Sequence, residues 1–152
     1  MSRAERRAIA AISMTSGVAV ELINYYRDLP GRQQIKGLLQ RLDQACRAAL
    51  SEFNGQLTKR EVDELLKQIK IVERRLYKFG SHGPVVAVSL VMGAINGVHG
   101  RVQNPMRKAV LNDVLDRLMG VLKYYDRKLD RSTDYEIATE GLNIWEREWE
   151  AS

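Results

Sequence analysis

Apolar residues recur along most of this chain at intervals of three and four, the spacing of helices that each bury one stripe. The pattern divides into six segments. The first, residues 3–27, aligns Ile9, Ile12, Ser16, Ala19, Ile23 and Tyr26, and Leu29-Pro30-Gly31 stops it. The second, residues 32–53, has the cleanest stripe, from Ile35 through Leu38, Leu39, Leu42, Cys46 and Ala49 to Phe53. Asn54-Gly55 ends that helix. Thr58, with Glu61 three residues later, predicts a capping box that opens a third helix over 59–79. At 100° per residue its wheel places Val62, Leu65, Leu66, Ile69, Val72 and Leu76 inward, and sets Arg60, Lys67, Lys70, Arg74 and Lys78 on the opposite face.

After the Gly80-Ser81-His82-Gly83-Pro84 linker comes the most apolar window of the chain. Val85-Val86-Ala87-Val88 alone would suit a strand. Ser89, Gly93 and Gly97 recur at every fourth position, however, and on a helix they make one smooth ridge for close packing, so a central helix near 84–98 is expected. Asn104-Pro105 is an N-cap with proline in the first turn, opening a fifth helix to about residue 129 along Leu111, Val114, Leu115, Leu118, Leu122 and Tyr125. A sixth, over 132–150, aligns Ala138, Leu142, Trp145 and Trp149. Long helices joined by short turns predict an all-α fold, a compact bundle of about six helices with the 84–98 helix enclosed by the others.

Length adds that one core suffices: 152 residues fit a single helical domain, and 45% apolar residues can fill it. Cys46 is the only cysteine, so no intrachain disulfide can form and a reducing, cytoplasmic setting is expected. The basic start is followed by an apolar stretch broken by Ser13, Thr15, Ser16 and Gly17, unlike a secretory signal. The 84–98 window is shorter than the ~20 residues a membrane crossing requires, so no membrane span is expected.

Candidate chemistry is sparse. The chain has no P-loop, no dinucleotide-binding glycine motif, no nucleophile elbow, no zinc-protease motif and no EF-hand loop. Neither a cofactor nor a metal is expected, and no catalytic residue is assigned. His82 and His99 flank one apolar helix, whose rise of ~1.5 Å per residue would hold them roughly 22 to 25 Å apart, too far to share an ion. Cys46, on an apolar stripe, reads as a small core residue. Asp113 and Arg117 have the spacing of a surface ion pair. In each of the pairs Tyr25-Tyr26 and Tyr124-Tyr125, one ring is expected in the core and its neighbour near the rim. Trp145 and Trp149, four apart, make an aromatic ridge suited to closing the core or anchoring a partner.

Charge changes the picture most. The net +5 conceals two unlike regions: residues 1–131 hold 23 basic against 13 acidic side chains, or +10, and residues 132–152 hold one against six, or −5. An acidic C-terminal helix thus accompanies a basic body. These features lead to the expectation of a non-catalytic helical interaction or adaptor protein that self-associates or docks on a larger macromolecular partner. Its binding residues would be the basic stripe Arg60, Lys67, Lys70, Arg74 and Lys78, with Trp145 and Trp149 as anchors. Homo-oligomer and protein partner are the first expectations. The alternative is a nucleic-acid-binding accessory protein, of viral or mobile-element type, contacting backbone phosphates. An enzyme with an unrecognised site is a third reading.

Overall fold

The computed structural model describes residues 2–53, 57–78 and 83–125, and among them the chain forms five α-helices and no strand. They are α1 (Arg3–Tyr25), α2 (Gln33–Phe53), α3 (Lys59–Lys78), α4 (Gly83–His99) and α5 (Pro105–Tyr125). Helix starts follow the side chains that satisfy the first, otherwise orphaned amides. Ser2 accepts from the Glu5 amide at 3.1 Å. Thr58 Oγ1 accepts from the Glu61 amide at 3.2 Å while Glu61 Oε1 accepts from the Thr58 amide at 3.0 Å, the reciprocal box the sequence predicts. Asn104 Oδ1 accepts from the amides of Met106 and Arg107 at 2.9 and 3.2 Å, with Pro105 in the first turn. The turn after α1 passes through Gly31 at φ 75°, a left-handed conformation open to glycine without strain.

Helices α1, α2, α5 and α4 form a ring in which each packs on the next. At one end, Arg107 of α5 reaches Glu5 of α1 at 2.7 Å and donates to the Glu52 carbonyl of α2 at 3.2 Å. At the other, the hydroxyls of Tyr26 and Tyr125 meet at 2.7 Å. These contacts set α2 antiparallel to both α1 and α5, and the short connection of residues 100–104 turns α5 antiparallel to α4, so direction alternates around the ring. The core inside it is closely filled, with Ile12, Leu22, Leu39, Leu42, Ile95, Leu111 and Leu118 almost fully buried.

Helix α3 stands outside the ring, against α1 and α4 alone among the major helix contacts. It is tied to α1 at both ends: Arg6 Nε to Glu61 Oε2 at 3.1 Å near its start, and the Tyr77 hydroxyl donating to Glu21 at 2.8 Å near its finish. It therefore runs parallel to α1. α4 is covered by α1, α3 and α5, and residues 83–91 are buried without interruption, the reason its sequence is apolar on almost every side.

The all-α bundle stands as expected, and α4 is the enclosed helix. The sixth helix, at 132–150, and the end of the fifth, at 126–129, lie outside the described residues. Two expectations need correction. Of the small-residue ridge on α4, Ser89 is buried, but Gly93 and Gly97 are half-buried beside exposed Asn96, on the side that neighbouring helices leave open. On α3 the wheel is turned: Leu65, Val72 and Leu76 are buried, yet Val62 and Leu66 remain 39% and 52% exposed. The position opposite them, Gln68, is buried instead. The tethers Arg6–Glu61 and Tyr77–Glu21 hold α3 against α1 in this rotation, with Ile69, Val72 and Leu76 facing Gly17 and Val18 of α1.

One further feature was not apparent from the hydrophobic windows. α1 is by itself long and apolar enough to cross a membrane, and more than half of its apolar window is buried by the other helices of the bundle.

Candidate functional site

The outer face of α3 carries the features singled out from the sequence. Arg60, Lys67, Lys70, Arg74 and Lys78 are all exposed, as three-and-four spacing opposite a buried ridge requires. Lys67 Nζ lies 3.3 Å from Glu64 within the helix, an i,i+3 pair. Asp63 and Glu73 are the exposed acids on the helix, so the outer surface is predominantly but not wholly positive.

Beside the cations runs a second strip, which the wheel did not anticipate: Val62 and Leu66, followed about three turns later by Tyr77, 63% exposed. Gln68 Nε2 and Glu64 Oε2 are meanwhile buried without a hydrogen-bond partner. A helix folded only to optimise its own burial would bury Leu66 and expose Gln68, because an unpaired buried amide is unfavourable by about 1 to 3 kcal/mol. α3 does the reverse, which leaves an apolar strip flanked by cations on the surface.

Other candidates separate clearly. Cys46 is fully buried, and burial, with Asp43 nearby, pushes its thiol up to about 12, so at neutral pH it is protonated and packed rather than nucleophilic. Asp113 and Arg117 pair at 3.7 Å as expected. His99 is half-buried at the end of α4, its Nε2 buried without a partner, while His82 lies outside the described residues. Among the described residues, no group of three or more His, Cys, Asp or Glu side chains could hold a metal ion. A cavity between α1 and α3, lined by Gly17, Val18, Ile69, Val72 and Leu76 among others, offers about 10 Å³, room for one water at most and no substrate.

The tyrosines divide as anticipated, with Tyr26 and Tyr125 buried and Tyr25 and Tyr124 nearer the rim, each pair edge-to-face at 5.0 and 5.3 Å. Sequence reasoning missed that the two pairs meet. Their shared position at the ends of α1 and α5 was the available signal. Burial raises both inner hydroxyls; the mutual hydrogen bond lowers Tyr26 in part and raises Tyr125 further. They are structural groups at neutral pH. Trp145 and Trp149, the expected anchors, lie outside the described residues.

Comparison of the chain with known protein families, with curated proteins and with solved structures finds no match to any of them.

Proposed function

We propose that this chain is a non-catalytic helical docking protein that binds a macromolecular surface, a second copy of itself included, through the outer face of α3. What carries the reading is the rotation of that helix, with Val62 and Leu66 in solvent beside exposed Lys67, Lys70 and Arg74, while Gln68 is buried. An apolar strip bordered by charge is the composition of a protein contact, where burial supplies affinity and the charged border selects an acidic partner. Behind it, α1 and α4 of the four-helix ring support the buried side of α3.

Sedimentation velocity over a concentration series tests the self-associating form. The expected result is a mass above the 17.3 kDa of one chain that falls back to it in Leu66→Asp. Association that survives both Leu66→Asp and the double variant Lys70→Glu/Arg74→Glu would refute α3 as the contact.

A nucleic-acid-binding reading draws support from one observation, that all five cations of the stripe are exposed along the length of α3. Its test is fluorescence anisotropy with a mixed-sequence duplex over a salt series. Binding that weakens steeply with salt, with a slope reduced by about one for each phosphate contact removed when Lys67, Lys70, Arg74 and Lys78 are neutralised, would put this reading first. No binding at low salt would eliminate it.

A further inference from the structure

We propose that the outer face of α3 is a peripheral binding surface for anionic phospholipid bilayers. This rests on the reading of α3 as the contact face and goes beyond it in naming a lipid surface as what that face meets.

Three observations converge on it. The first is position. α3 stands outside the four-helix ring with α1 and α4 behind it, so its outer face is convex and can lie along a plane for its whole length, about 30 Å for 20 residues.

Charge is the second. α3 carries seven basic residues against four acids, and two of those acids are already engaged, Glu61 with Arg6 at 3.1 Å and Glu64 with Lys67 at 3.3 Å. Lys59, Lys70 and Arg74 are exposed on long stems, which let ammonium and guanidinium groups donate to phosphate oxygens at the level of the headgroups.

The third is the apolar strip beside those cations. Val62, Leu66 and Tyr77 are all exposed along α3, and Val20 of α1, also exposed, adjoins the Glu21 that accepts from Tyr77. A tyrosine has an apolar body and a polar tip, which suits the boundary between headgroups and acyl chains. Cations and apolar side chains together on one amphipathic helix are what a helix lying in that boundary presents, attraction to anionic lipid adding to apolar burial.

The same features weigh against the other partners. The strip is narrow, running roughly 22 Å from Val62 to Tyr77, and falls short of the ~800 Å² per partner that a stable protein contact covers. A fluid bilayer admits side chains one at a time and requires no complementary groove. A nucleic acid would contact the cations through its phosphates and gain little from an exposed Leu66.

Cosedimentation of the intact chain with vesicles over a salt series tests this. Vesicles containing phosphatidylglycerol should take up the chain, and vesicles of phosphatidylcholine alone should not. Lys67→Gln/Lys70→Gln/Arg74→Gln should weaken uptake roughly a hundredfold, about fivefold for each cation removed. Val62→Ser/Leu66→Ser leaves every charge in place and should weaken uptake about tenfold. Arg41→Gln, an exposed cation of α2, should leave it unchanged. Every substituted position is exposed, so far-ultraviolet circular dichroism should retain the helical bundle in each variant. No uptake by anionic vesicles at low salt, equal uptake by the two compositions, or uptake that Val62→Ser/Leu66→Ser does not change would overturn the proposal. In the last case charge alone attracts polyanions, and duplex DNA bound through the same cations would identify nucleic acid as the partner. A chain that associates through Leu66 in solution and ignores vesicles would keep α3 as the docking face and lose the lipid, so the two readings can fail separately.

Discussion

Cys46 shows how one residue's surroundings decide its chemistry. Its position on the α2 stripe takes it into the core beside Asp43, and desolvation holds its thiol near 12 against an ordinary value of 9.0. Below pH 9 the thiol is neutral in both folded and unfolded chains, and it makes no difference to stability. Between about 9 and 12 the unfolded chain loses the proton while the folded chain keeps it, so stability falls with rising pH, at a limiting slope of about 1.4 kcal/mol per unit. The buried hydroxyls of Tyr26 and Tyr125, also raised, add to the decline above 10. Urea denaturation at a series of pH values should therefore show a steeper loss between pH 9 and 10 in the unaltered chain than in Cys46→Ala. Native protein at pH 9 should resist alkylation by iodoacetamide until denatured. Rapid native alkylation would show that the thiol is reached by solvent.

At the scale of the element, α3 separates what periodicity can show from what it cannot. Its start was legible because a capping box is a local arrangement of two side chains and two amides, and Thr58 and Glu61 carry all of it. The existence and direction of an apolar stripe were legible for the same reason. Its rotation was not: Leu65 and Leu66 are adjacent, both apolar, and both lie within the arc a wheel assigns to the core. What separates them is tertiary, the partners Arg6 and Glu21 on α1 that hold the helix at Glu61 and Tyr77. The two leucines therefore make a sharp comparison. Leu65→Ala removes a side chain 8% exposed and should destabilise the fold by about 2 to 4 kcal/mol. Leu66→Ala, at 52% exposure, should shift it by less than about 1 kcal/mol. Thermal melts of the two variants measure this, and equal losses would mean that α3 sits in the rotation its wheel suggests. The basic face was legible residue by residue; the apolar strip beside it was visible only as core, because nothing local marks a leucine for solvent.

For the whole molecule, the arrangement of neighbours predicts how it opens. Within the ring each helix is held by two others, and α1 and α4 also support α3. α3 itself leans on α1 and α4 through Leu65, Val72 and Leu76, and it buries two polar atoms that have no partner. If α3 detaches, the ring keeps its Leu22, Leu39, Ile95 and Leu118 core, whereas detaching α1 or α4 breaks the ring and strands α3 as well. Unfolding should therefore be hierarchical, with α3 as a cooperative unit of lower stability than the rest. Hydrogen exchange under native conditions should show the amides of α3 exchanging together through an opening that a little denaturant promotes, while the central amides of α1 and α4 exchange only with global unfolding. Equal slowing factors in α3 and α4 would mean that the five helices unfold as one unit and that the outer face is held as firmly as the core, leaving no soft element through which a partner's arrival could be felt.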